Sequence, residues 1–293
     1  TIVFASAVQG GRIVLAGSQL TVGSDVTIDG GMGITIDAGR ASRVLLVQDG
    51  LSHRNDVRLD DLTITGGLTT ADGENGGGIF AAGSSILTLD HVAAIGNATT
   101  GSNAFGGGVD GFDITLTDSA IADNSTSGSN AAGGGISASN ELSLSNSTVA
   151  NNSTAGDGAE GGGISTYRAS MIDSTVSGNE TTGVGSDGGG IYGRNVSAAN
   201  SIVAGNTATG LDADIGAYSG HIFSNGANIF GSHVEGSTPS DRESVPTSAL
   251  FAGGLADNGG STLTLALLDD PGNPDIQVLL EGVATSGLDD DRR

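Results

Sequence analysis

GGGVDGFDITLTDSAIADNSTSGSNAA (106–132), GGGISASNELSLSNSTVANNSTAGDGAE (133–160) and GGGISTYRASMIDSTVSGNETTGVGSD (161–187) are consecutive segments of one chain that align on their opening glycines and on Asn124, Asn152 and Asn179. The pattern extends outward. Gly76-Gly77-Gly78-Ile79 precedes it and Gly188-Gly189-Gly190-Ile191 follows, so that Ile79, Val109, Ile136, Ile164 and Ile191 stand 30, 27, 28 and 27 residues apart. Asn97, Asn124, Asn152, Asn179 and Asn206 keep their own spacing of 27, 28, 27 and 27. Between the markers, apolar and polar residues alternate in short runs such as Ile114-Thr115-Leu116 and Leu142-Ser143-Leu144, which is strand periodicity. A unit of this size cannot bury its own apolar face. Stacked coil on coil, at the inter-strand spacing of about 4.8 Å, it forms a continuous core in which like lies over like, a parallel β-helix.

Counting back from each marker Asn gives the columns. Three positions before it stand Ile121, Val149, Val176 and Val203, which read as core. Five before it stand Ser119, Ser147, Ser174 and Ser201, and six before it Asp118, Asn146, Asp173 and Asn200. The Ser and Asn columns read as structural ladders that satisfy corner backbone and each other, Asn also tolerating the left-handed conformation of tight corners. The Asn-x-Thr triplets arise from the repeat and are not read as glycan sites. From marker to next glycine triplet the chain always runs eight residues: 98–105, 125–132, 153–160 and 180–187. Thr is second (Thr99, Thr126, Thr154, Thr181) and Gly fourth (Gly101, Gly128, Gly156, Gly183), so these loops should stack into a ridge. The triplets lack the Lys and the helix of a phosphate loop and read as corner glycines.

The whole chain, 1–293, reads as one domain: shorter coils over 1–70, regular coils over 71–210, and a degenerate coil with a terminal cap over 211–293. Composition agrees. Gly supplies 52 of 293 residues, against a usual share of about 7 %, while aromatics make up 3 % and Cys is absent. All ten basic residues are Arg, 26 of the 33 acids are Asp, and the formal charge is −23. Such a potential repels phosphate backbones, so nucleic acid is not an expected partner. It suits salty surroundings or a Ca2+-rich exterior, and both point outside the cell. No apolar run reaches the roughly 18 residues of a membrane span.

These residues resemble a known family. Gly-Gly-Gly-Ile followed by a strand and an Asn-ending turn is similar to the repeats of chlamydial polymorphic outer-membrane proteins, with Ile, Val or Ala where their Phe stands. Gly10-Gly11-Arg12-Ile13-Val14-Leu15, Leu20-Thr21-Val22, Val26-Thr27-Ile28-Asp29-Gly30 and Asp257-Asn258-Gly259-Gly260-Ser261-Thr262-Leu263-Thr264 resemble the bacterial choice-of-anchor Q proteins. The resemblance implies a right-handed parallel β-helix, export, and surface display through an anchor or sorting domain outside this chain. It carries no catalytic residues.

Two functions follow as expectations. One is a non-catalytic, adhesin-like rod that contacts extracellular glycans or proteins, or a carbohydrate-binding module of a larger secreted protein. The other is a polysaccharide lyase, in which Arg abstracts the proton beside a uronate carboxylate. Register places Arg168 one coil above Glu141, with Tyr167, Tyr192 and Arg194 nearby, as an inter-coil ion pair, a glycan-binding face or a catalytic cluster. No cofactor is expected, with Ca2+ the cation that Asp269, Asp270, Asn273 and Asp275, or Asp289-Asp290-Asp291, would attract. His53, His91, His221 and His233 are scattered, without the spacing of a zinc site. A single regular Thr column is too narrow an array to bind ice.

Overall fold

The computed structural model describes residues 1–48, 54–259 and 262–268, with the backbone alone for 217–220. His53 and the acidic stretches from Asp269 and from Asp289 lie outside the described residues. The chain is all-β, wound into a solenoid of about 8 turns whose strands are parallel.

Each regular coil has three strands. The first is long, as in Val109–Thr117, Ile136–Ser145, Ile164–Ile172 and Ile191–Ala199. After a corner comes a three-residue strand such as Ala120–Ala122 or Thr148–Ala150, and after a second corner a two-residue strand such as Ser125–Thr126 or Ser153–Thr154. The two-residue strands stack into their own six-stranded sheet, from Leu68–Thr69 to Thr207–Ala208. Like pairs with like: Ile136 with Val109 and Ile164, Leu142 with Ile114 and Ala169, Val149 with Ile121 and Val176. Those inward columns are almost wholly buried.

The uneven repeat lengths have a local cause. From Val109 to Asp113 and from Ile164 to Arg168 the chain takes four steps, whereas the paired Ile136 and Glu141 are five apart. The extra residue of the 28-residue coil is therefore a bulge at Ser139-Asn140, inside the first strand, and the rest of the coil keeps its register. In the coil below, the three extra residues fall in the turn after Ala81, where Ile79 and Ile86 face Val109 and Asp113.

The left-handed backbone is carried one position away from the marker asparagines. Asp123 and Asn151 have φ of 55° and 57°, and Gly96, Gly178 and Gly205 fill the same place, whereas the marker asparagines do not have positive φ. The other corner uses the column six before the marker: His91, Asp118, Asn146, Asp173 and Asn200, with φ from 47° to 53°. Over the last coil, Ile202, Ala204, Ile229, Val245 and Leu250 form a second small core against which Phe251 and Leu267 pack. Among the described residues no helix is long and apolar enough to cross a membrane.

The loop glycines are required by close approach. A Cβ on Gly128 would meet the carbonyl oxygen of Gly101 at 1.9 Å, and one on Gly156 would meet that of Gly128 at the same distance. A Cβ on Gly23 would meet nothing within 4 Å. Gly128→Ala should therefore lose at least about 2 kcal/mol, and Gly23→Ala should change stability by under about 0.5 kcal/mol. Urea unfolding followed by circular dichroism measures both.

Candidate functional site

Among the described residues, polar or non-repeating side chains gather along the internal ladders, on the ridge of loops and on the outer face of the long strands.

The Asn ladder is fully hydrogen-bonded. The backbone N and the Nδ2 of Asn97 both donate to Asn124 Oδ1, at 2.9 and 3.0 Å, and the same pair of bonds joins Asn124 to Asn152, Asn152 to Asn179 and Asn179 to Asn206. The remaining Nδ2 proton goes to a backbone carbonyl one coil back, as from Asn152 to Ile121. Each amide thus has both donors and its acceptor used in a dry interior. Asn206 has no further Asn above it and donates instead to Asp214 Oδ1, through N at 3.2 Å and Nδ2 at 2.9 Å. The Ser ladder follows the same logic. Ser119 N donates to Ser147 Oγ, Ser147 N to Ser174 Oγ and Ser174 N to Ser201 Oγ, each at 3.2 Å, and Ser201 N passes to Asn228, which donates to Asp241. Burial opposes charge on Asp241, but the amides of Thr238 and Asn228 and the hydroxyls of Ser224 and Thr238 outweigh it and hold that carboxyl below its ordinary value.

The loops stack, with their Thr and Gly columns turned inward. Thr99, Thr126, Thr154 and Thr181 are buried, and each hydroxyl donates to the carbonyl five residues on, as from Thr154 to Ala159 at 2.9 Å. Gly101, Gly128, Gly156 and Gly183 are buried beneath the next loop. What faces solvent is a changing series, including Asn103, Asn130, Asp157 and Val184.

The outer face is where repetition stops. Phe112, Asn140, Tyr167 and Arg194 occupy corresponding positions on adjacent strands, beside Asp113, Glu141, Arg168 and Asn195. Glu141 and Arg168 are paired in register, yet no ion pair joins them among the described residues, contrary to the simplest expectation. Arg168 instead lies over the Tyr167 ring, 5.3 Å from its centroid, and Arg194 lies over the same ring at 5.2 Å. Arg194 Nη1 donates to Tyr167 Oη at 2.6 Å. Two guanidinium groups thus lie against one phenol, and both arginines are exposed. Nearby, burial raises the Glu160 carboxyl, opposed by a hydrogen bond from Tyr192 and reinforced by Asp187. Such an arrangement offers a ring edge for apolar sugar faces and two planar cations for carboxylates or hydroxyls.

A polar network that spacing did not reveal lies at the foot of the ridge. Asp110 is buried, accepts from Asn75 Nδ2 at 3.1 Å and lies near Arg43. Arg43 itself is committed to the carbonyls of Asn75 and Gly76 and to Gln19 Oε1. Desolvation pushes Asp110 up to about 7, against the hydrogen bonds of Ser137 and Asn75 and the charge of Arg43. Its only sequence signal is an acid directly after Gly-Gly-Gly-Val, where other coils place Phe80, Ser137, Ser165 or Tyr192.

The chain matches no family model, no curated protein and no solved structure.

Two outcomes follow. Asp214→Ala leaves two buried donors of Asn206 without an acceptor and should cost about 2–4 kcal/mol, whereas Asp214→Asn, which keeps Oδ1, should cost less than half of that. Denaturant titration of both variants tests the ladder's end. For Asp110, the folded value of about 7 lies above the ordinary 3.8, so the folded chain binds the proton more tightly than the unfolded one. The resulting stabilisation is complete below pH 3.8 and is lost as pH rises to about 7. Asp110→Asn should flatten that fall, worth about 4 kcal/mol, in unfolding measured across the range.

Proposed function

We propose that this chain is an exported, non-catalytic display rod whose outer face at Tyr167, Arg168 and Arg194 contacts acidic glycans on a neighbouring surface. The observation that carries the reading is the pair of guanidinium groups against the Tyr167 ring, an exposed local concentration of positive charge on a molecule whose formal charge is −23. Two Arg forks flanking one ring can hold a carboxylate while the ring edge meets the sugar's C–H face. The surrounding acids discourage non-specific anion binding, so an acidic glycan would engage at this local concentration of positive charge. Surface display also accords with a Cys-free, Asp-rich composition and with the resemblance to choice-of-anchor Q and polymorphic outer-membrane repeats. On this reading the chain is the glycan-contacting part of a larger surface protein.

The second reading, a polysaccharide lyase, draws on the same residues. Arg194 donates to the Tyr167 phenol oxygen, which brings together the guanidinium and the hydroxyl that a proton-abstracting site would use. The two readings part on turnover. On a panel of uronic-acid polysaccharides, with and without Ca2+, the display rod should bind in a glycan array and lose that binding by at least about tenfold in Tyr167→Ala and Arg194→Ala. Ultraviolet absorbance over the same panel should stay flat. A rise, which reports the double bond left by β-elimination, would replace the rod with the lyase, and absence of any array binding would remove the glycan-contacting reading.

A further inference from the structure

In a solenoid, residues one coil apart in sequence are neighbours in space, so ligand spacing equals coil length. His91 and Asp118 are 27 residues apart and occupy successive positions of the same left-handed corner column. His91 Nε2 lies 3.9 Å from Asp118 Oδ2, and Nδ1 lies 2.7 Å from Asp90 Oδ1. One ligand atom each from Asp90, His91 and Asp118 falls within 4.8 Å of the others. Two ligands of an ion bound at about 2.1 Å stand roughly 3–4.2 Å apart, according to the angle between them. The 3.9 Å between His91 Nε2 and Asp118 Oδ2 falls inside that range, whereas the 2.7 Å between His91 Nδ1 and Asp90 Oδ1 falls below it, so Asp90 stands at the other ring nitrogen, where a carboxylate orients a ligating imidazole.

The geometry points to a divalent transition-metal site at this corner, with His91 Nε2 and Asp118 Oδ2 as ligands and Asp90 orienting the imidazole at Nδ1.

Three features of the surroundings favour a bound cation over a simple imidazolium between two carboxylates. Asp118 Oδ1 is occupied by Asn146 Nδ2, which fixes the carboxylate and leaves Oδ2 turned toward the imidazole. Asp90 Oδ2 is likewise fixed by Arg58, while Asp90 Oδ1 stands 2.7 Å from His91 Nδ1. The corner also has an excess of negative charge. Arg58 is shared between Asp60 and Asp90, so one guanidinium and the imidazole face the carboxylates of Asp60, Asp90 and Asp118. One imidazole nitrogen with carboxylate oxygens is a donor set for Zn2+ and its neighbours, whereas Ca2+ prefers oxygen alone. Two protein ligands leave room for water or for a group from a partner.

The column supplies clean variants. Asn already occupies the same corner at Asn146 and Asn200, both with φ of 49°, so His91→Asn and Asp118→Asn keep the backbone conformation and the ladder. Chelator-treated full-length chain is titrated with Zn2+ by calorimetry at pH 7 and about 0.15 M salt, where diffuse attraction to the acidic surface is screened. One saturable equivalent is expected, undisplaced by Ca2+, lost in His91→Asn and weakened at least about tenfold in Asp118→Asn. Circular dichroism verifies that both variants are folded. Absence of a one-to-one site, equal binding in folded His91→Asn, or displacement by Ca2+ would each overturn the proposal.

Discussion

Everything in this rod depends on keeping successive coils in register. Parallel strands bond from one coil to the next, so a core residue is buried only if the residue one coil away is also apolar and level with it. A shift by one residue would turn Leu142 and Leu144 outward and Ser143 inward. The chain meets this constraint by confining length changes to places where nothing stacks inward: the bulge at Ser139-Asn140 and the turn after Ala81. The eight-residue loops vary in composition at their tips and never in length, because Gly101, Gly128, Gly156 and Gly183 lie against one another's carbonyls with no space for a side chain.

The interior is polar along two lines, and both lines have a direction. In the Asn ladder every side-chain carbonyl accepts from the preceding coil, and each amide gives one N–H to the following coil and the other to a carbonyl one coil back, so the side-chain chain of bonds runs one way and its donor end lies toward the C-terminal coils. A neutral amide at that end would leave donors unmet. Asp214 and Asp241 are acceptors that bring no donors of their own, and each closes a ladder with a negative charge at its electropositive end. The same device at two corners ties the last coil to the residues that cover it, since Asp241 belongs to the stretch that returns over Ile229.

Much of this was legible in the sequence because a solenoid converts spacing into adjacency. The core columns, the Ser and Asn ladders and the Glu141–Arg168 register follow from counting back from a marker. What counting does not give is the direction in which a side chain turns. The left-handed residue is the one before the marker, because the marker's amide must point inward to reach the next coil. Thr99 and its equivalents read as a surface ridge, yet a buried hydroxyl closing its own loop is the better use of a small β-branched side chain beside a carbonyl. Glu141 and Arg168 are level, yet a guanidinium that can cover a neighbouring ring turns toward Tyr167. Asp110 escaped notice because nothing in the alternating pattern separates an acid facing solvent from one roofed by Asn75.

Function in such a molecule has to be sought where repetition fails. Positions that repeat are held by the coil above and below, and their identity is accounted for by stacking. On the outer face, Phe112, Asn140, Tyr167 and Arg194 share a position and no chemistry, and at the corner a single His stands in a column of Asp and Asn. Neither departure serves the stacking: Asn at position 91 or a small polar residue at 167 would satisfy the coil equally well. The rod supplies rigid spacing of one coil, and side chains that the rod does not need are the ones free to meet something outside it.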